Sequence, residues 1–98
     1  MNKKKFVFLS IGYTEPTKEI MDAWMAWFKK IEKYVVDRGN PFAPGKEITS
    51  SGIKDLPLDK GAITGYTIIE AKDMDEAVKI AKDCPIITSL RVYEAVEM

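Results

Sequence analysis

Two carboxylates have positions in the sequence from which they could do chemistry. Asp37 comes at the end of a helical pattern, and Glu70 shares one face of a predicted strand with Tyr66 and Ile68. A carboxylate on an otherwise apolar strand face is either paired with a cation or poised for proton transfer. For Glu70, both pairing across an interface, with Arg91 as partner, and proton transfer stay open.

The single cysteine, Cys84, lies at the end of another helical pattern, directly before Pro85. A reactive thiolate needs a nearby cation or a helix N-terminus, and the dipole at a helix C-terminus disfavours it. We therefore expect Cys84 to fill the core. One cysteine excludes an intrachain disulfide and a cysteine-cluster metal site, and the absence of histidine removes the commonest general base and nitrogen ligand. We expect no cofactor and no metal.

Aromatic side chains with polar tips could line a pocket for a small molecule. Trp24, Trp27 and Phe28 recur at helical spacing, which is typical of core packing and also allows an aromatic pocket wall. Tyrosine hydroxyls suit a pocket that needs a few oriented polar groups, although they also bond to backbone partners. The predicted ligand-binding residues are Ser10, Tyr13, Trp24, Trp27, Asp37, Tyr66, Glu70 and Tyr93.

The charge balance argues against polyanionic partners. The chain has 15 basic and 15 acidic residues, so no broad positive field favours nucleic acid or anionic lipid. Lys3, Lys4 and Lys5 form the longest basic run and are expected to be a solvated terminus. The longest apolar run is too short to span a bilayer and does not resemble a signal peptide. We expect a cytoplasmic protein that binds neither nucleic acid nor membrane.

The 98 residues are expected to form a single domain, 1–98. Thr14 or Thr17 is expected to cap the first helix, whose apolar stripe runs to Val35 with Gly39 as the C-cap. Asp73 caps the second helix, which Pro85 ends. The predicted strands are Phe6 to Ile11, a weak strand near Glu47 to Ser50, Tyr66 to Ala71 and Leu90 to Val96, and the segments at 51–52 and 55–61 are read as loops.

This order predicts an α+β fold, a ferredoxin-like plait with both helices on one face of an antiparallel sheet. Both faces of the first strand are apolar, so the uncovered face of the sheet carries either Phe6 and Phe8, or Val7, Leu9 and Ile11. An apolar face of that size is usually an interface, which predicts a homodimer packed sheet to sheet.

Five short stretches together resemble one known family. They are Gly39-Asn40-Pro41-Phe42, Gly65-Tyr66, Asp73-Met74-Asp75-Glu76-Ala77, Cys84-Pro85 and Arg91-Val92-Tyr93-Glu94. In this order and spacing, over nearly the whole chain, they are similar to the YCII-related family. The resemblance implies a small dimeric α+β barrel.

The chain departs from that family at the residues to which activity is attributed. Some members are thought to use a histidine in the first helix with an aspartate just before the proline that ends the second helix. Here the first helix carries Trp24, Trp27 and Phe28, and the residue before Pro85 is Cys84, with Asp83 one position earlier. The Asp-Gly-Pro-Phe motif of another branch is also absent before the third strand. The resemblance therefore implies no catalytic dyad in this chain.

Three functions stay open. The first is binding of a small molecule in a pocket between the first helix and the sheet. The second is an enzyme, a lyase or hydrolase acting on a small organic acid, with Asp37 or Glu70 as the base and a tyrosine as hydrogen-bond donor. The third is a structural or interaction dimer without a pocket.

Overall fold

A four-stranded antiparallel sheet covered by two helices forms the body of the protein. The computed structural model describes residues 3–97, and the strand order in this sheet is β2-β5-β1-β6. The elements are β1 (Lys4–Ile11), α1 (Lys18–Ile31), β2 (Val35–Asp37), β3 (Gly45–Thr49), β4 (Gly52–Leu56), β5 (Ile63–Ala71), α2 (Met74–Ala81) and β6 (Ser89–Ala95). The predicted α+β class is confirmed, and the order is compatible with a ferredoxin-like plait. No helix within residues 3–97 is long and apolar enough to cross a membrane.

The core lies between the sheet and both helices. Phe6 and Phe8 of β1 are fully buried in this core. The alternation of side chains along β1 therefore directs both phenylalanines toward the helices. Burying one such ring contributes roughly 1.5–3 kcal/mol. The Trp27 indole N–H of α1 donates to the Ile80 carbonyl of α2 at 3.3 Å, which joins the two helices above the sheet.

Side-chain caps begin both helices. The hydroxyl of Thr17, the second of the two predicted caps, accepts a hydrogen bond from the Ile20 N–H of α1 at 3.2 Å. At α2, Asp73 accepts from the Glu76 N–H at 2.9 Å, and the Glu76 carboxylate accepts from the Lys72 N–H at 2.9 Å. This reciprocal pair satisfies two backbone donors, so the predicted cap at Asp73 is confirmed.

The first helix is shorter than its apolar stripe predicts. It ends at Ile31, a 3-10 turn follows at Glu32–Tyr34, and Val35 enters the sheet opposite Ile69. The prediction of a helix through Val35 with Gly39 as its C-cap is therefore wrong. Val35 and Val36 are β-branched and therefore favour a strand. The edge of β5 pairs with Val35, and this pairing outweighs the helical pattern.

A hairpin of β3 and β4 extends from the body and forms a separate two-stranded sheet. A strand near 47–50 is confirmed, but the segment from 52 to 56, read largely as loop, is its partner. Every residue of the two strands is exposed, and Ile48 pairs with Ile53 across the ladder at 79% and 69% exposure. The Lys46 ammonium and the Asp55 carboxylate, 2.5 Å apart, form an ion pair on the same face.

The second face of the main sheet carries the alternate residues of its strands. Val7 and Leu9 of β1 lie beside Ile68 and Tyr66 of β5, and all four side chains are half-buried. Of the two alternatives for this face, the one with Val7 and Leu9 is therefore correct, whereas Ile11 is buried. An apolar patch on the sheet stays uncovered within one chain.

Candidate ligand-binding site

A cavity of about 580 Å³ lies between α1 and one end of the sheet. It occupies the end at which β1 finishes and at which β5 and β6 begin. Its volume is within the range of roughly 300–1,000 Å³ that is usual for small-molecule sites. α1 forms one wall with Ile20, Met21, Trp24, Met25 and Phe28, and the sheet forms the floor with Ser10, Gly65, Thr67 and Leu90.

The floor is open because the sheet carries small side chains at this end. Ser10 of β1 pairs with Gly65 of β5, whereas farther along β1 the rings of Phe6 and Phe8 fill the space beneath the helices. The Thr67 hydroxyl donates to the Arg38 carbonyl at 3.0 Å. The cavity therefore results from a change from large to small residues along one strand face.

Aromatic rings form the wall on α1. The Trp24 and Phe28 ring centres are 5.8 Å apart, and Trp24 meets Trp27 edge to face with their centres 5.6 Å apart. Trp24 and Phe28 are half-buried and line the cavity, whereas Trp27 is buried in the core. The spacing along α1 thus directs one tryptophan into the core and the other to the cavity.

The segment from 38 to 42 closes one side of the cavity by running beside β5. The Phe42 N–H donates to the Thr64 carbonyl at 2.8 Å, and the Phe42 ring stacks on Tyr66 with their centres 5.7 Å apart. Gly39 has a φ of 75°, and a Cβ atom there would lie 1.7 Å from the Tyr66 carbonyl oxygen. Only glycine fits this crossing.

The cavity has one charged group and a buried thiol among the described residues that line it. The Arg38 guanidinium lies over the Phe28 ring, 4.8 Å from its centre. Burial raises the pKa of the Cys84 thiol to about 12. The sulfur is therefore a neutral thiol at physiological pH, as the position at the helix end predicts.

Four of the eight predicted ligand-binding residues, Ser10, Tyr13, Trp24 and Tyr66, line the cavity. Asp37 lies beside it, where its carboxylate accepts from the Gly39 N–H at 2.8 Å and from the Tyr66 hydroxyl at 3.4 Å.

The other three predicted residues are not brought to the cavity. Trp27 is in the core, with its indole N–H bound to the Ile80 carbonyl. Glu70 and Tyr93 lie on the opposite face of the sheet, where they pair with Lys5 and Val7 of β1. Tyr66 shares this face but lies at the start of β5, beside the cavity, whereas Glu70 and Tyr93 lie farther along the strands.

Several lining residues were missed from the sequence. Met21, Met25, Thr64, Thr67 and Arg38 line the cavity but are not among the predicted ligand-binding residues. Arg38 has no local signal, because its role depends on the unpredicted β2 that brings it against Phe28. Thr67 could have been found from the strand pattern, which places it on the same face as Ile69, whereas Thr64 precedes the predicted strand.

The aspartate near the end of α2 has a partner outside the cavity. Asp83 forms a hydrogen-bonded ion pair with Lys30 of α1, and this contact lowers the pKa of the Asp83 carboxyl below its usual value. Both side chains are largely exposed. The contact links the turn after α2 to α1 at the surface, and Asp83 does not line the cavity.

These features define a small α+β protein with a cavity between its first helix and one end of its sheet. The family model of the YCII-related domain matches residues 3–98. The chain therefore belongs to the YCII-related family. A search of curated proteins finds no match for it.

Proposed function

We propose that the protein binds a small, flat and largely apolar molecule in the cavity between α1 and the sheet. The observation that carries this proposal is the cavity itself, with two aromatic rings on one wall, Trp24 and Phe28, and hydroxyl groups on its floor. Apolar walls supply affinity by burial, and a few polar groups orient the ligand.

Binding accounts for the site better than proton transfer does. None of the described residues that line the cavity is acidic, and Glu70 lies on the other face of the sheet. The Asp37 carboxylate is beside the cavity and already accepts two hydrogen bonds. The Cys84 thiol has a pKa of about 12, so burial suppresses the thiolate that a nucleophile requires.

A matched pair of substitutions tests this proposal by calorimetry with naphthalene-2-carboxamide, a flat neutral probe. Ser10→Leu places a larger side chain on the floor, so we expect it to abolish binding or weaken it at least about tenfold. Ser51→Leu makes the same change in the exposed β3–β4 turn and should leave binding unchanged. Equal affinity in all three proteins would contradict the proposal, as would a wild type that binds neither this probe nor naphthalene-2-carboxylate.

We further propose that two copies pack their uncovered sheet faces together into a dimeric α+β barrel. Val7, Leu9 and Ile68 form the centre of that apolar face, and Glu70 would find Arg91 of the second copy. Sedimentation should give twice the monomer mass for the wild type and a smaller mass for Leu9→Lys. Ile48→Lys on the hairpin is the control, and a monomeric wild type would refute the dimer. The cytoplasmic location expected from the sequence stays a prediction.

A further inference from the structure

Arg38 is the one charged side chain among the described residues that line the cavity. Its guanidinium lies 4.8 Å from the centre of the Phe28 ring. Within residues 3–97 the Arg38 side chain donates no hydrogen bond, and the hydrogen bond with the Thr67 hydroxyl involves only the Arg38 backbone carbonyl. The guanidinium N–H groups are therefore free to donate to a ligand. The side chain is therefore held at the wall with its strongest donors unused by the ring.

No carboxylate forms an ion pair with Arg38 within residues 3–97. The neighbouring carboxylate, Asp37, instead accepts from the Gly39 N–H and the Tyr66 hydroxyl. An arginine beside an apolar cavity with no internal counter-charge is suited to a ligand that brings the negative charge. A guanidinium and a carboxylate match in a bidentate pair of hydrogen bonds.

We propose that the ligands are flat monocarboxylates, whose ring lies against Trp24 and Phe28 while their carboxylate binds Arg38. This inference rests on the proposed function of the cavity. One cation balances one negative charge, whereas a phosphate monoester carries nearly two at neutral pH. Lys60 lines a smaller adjoining cavity of about 420 Å³ and does not line this one, so no second cation is available in the main cavity.

Two probes of nearly the same shape distinguish the contribution of the ligand's negative charge to affinity from the contribution of its ring. Naphthalene-2-carboxylate and naphthalene-2-carboxamide differ by one negative charge, and calorimetry gives the affinity of each. The wild type should bind the carboxylate roughly 10- to 100-fold more tightly, because charge-assisted hydrogen bonds are stronger than neutral ones. Raising the salt concentration should reduce the difference in affinity between the two probes, because salt screens the charge interaction.

Two variants that each remove one positive charge provide the matched comparison. Arg38→Gln should remove the preference for the carboxylate and leave the affinity for the carboxamide within about twofold. Lys54→Gln, on the exposed hairpin and away from the cavity, should keep the preference.

The two proposals fail in different ways. If both probes bind the wild type equally, or if Arg38→Gln weakens both alike, the assignment of Arg38 is overturned and the cavity is still a binding site. If neither probe binds the wild type, the proposed function fails together with this inference. A preference that Lys54→Gln removes would also overturn the assignment.

Discussion

Gly39 crosses the backbone of Tyr66 so closely that a Cβ atom on Gly39 would lie 1.7 Å from the Tyr66 carbonyl oxygen. This approach holds the segment from 38 to 42 along β5 and so fixes Arg38 and Phe42 at the cavity. The glycine is also in a left-handed conformation, with φ at 75°. Two independent constraints therefore require glycine at this position.

Gly39→Ala should lower the free energy of unfolding by at least about 2 kcal/mol, because it adds both backbone strain and a steric clash. Probe binding should weaken as well, since the displaced segment closes one side of the cavity. Urea unfolding and calorimetry measure the two effects. Gly45→Ala is the control, because a Cβ atom there meets nothing within 4 Å. Similar stability of both variants would refute the crossing.

Trp27→Phe should destabilise the fold more than Trp24→Phe. Trp27 is 3% exposed and its indole N–H binds the Ile80 carbonyl, whereas Trp24 is half-buried. Loss of buried volume and of one hydrogen bond is expected to cost roughly 1–3 kcal/mol at Trp27. Urea unfolding measures the loss of stability in each variant. A larger loss in Trp24→Phe than in Trp27→Phe would show that the packing of α1 against α2 does not depend on Trp27.

Asp73→Ala should cost about 1 kcal/mol, since the Glu76 N–H loses its side-chain acceptor at the start of α2. Asp75→Ala is the matched control, because Asp75 lies in the first turn without forming the cap. It should lose only a few tenths of a kcal/mol from the helix dipole. Equal losses in urea unfolding would count against the capping pair.

Cys84 should make stability fall at alkaline pH. Burial raises the thiol pKa from 9.0 to about 12, so between these values the unfolded chain releases a proton that the folded chain retains. Its contribution is complete below pH 9 and is lost as pH rises, with a slope of up to ~1.4 kcal/mol per pH unit. Relative to Cys84→Ala, the wild type should lose stability above pH 9 in urea unfolding. Parallel pH profiles would contradict a buried neutral thiol.

The elements with a strong local signal could be predicted from the sequence. The alternation of Tyr66 to Ala71 identifies both faces of β5, and Asp73 with Glu76 identifies the start of α2. The hairpin was only half predicted, because the segment around Ile53 has no alternation long enough to mark a strand. The end of α1 was misplaced because Tyr34 and Val35 continue its apolar period, and pairing with Ile69 outweighs that pattern.

The candidate site was predictable only where strand and helix faces determine it. Trp24 lies on the apolar face of α1 that the sequence periodicity assigns, and Ser10 shares a strand face with Phe6 and Phe8, which the structure turns toward the helices. Arg38 is positioned at the cavity because it lies between β2, which pairs with β5, and Gly39, which packs against the backbone of Tyr66. Both arrangements depend on tertiary contacts. No local pattern reports such contacts.

The central claim, that the cavity between α1 and the sheet binds a small molecule, is tested most directly by NMR of the two tryptophans. The Trp24 indole borders the cavity, while the Trp27 indole N–H is bound to the Ile80 carbonyl in the core. Titration with naphthalene-2-carboxylate should shift the Trp24 indole signal strongly and the Trp27 signal much less. If neither signal moves, or if only the Trp27 signal moves, the claim is contradicted.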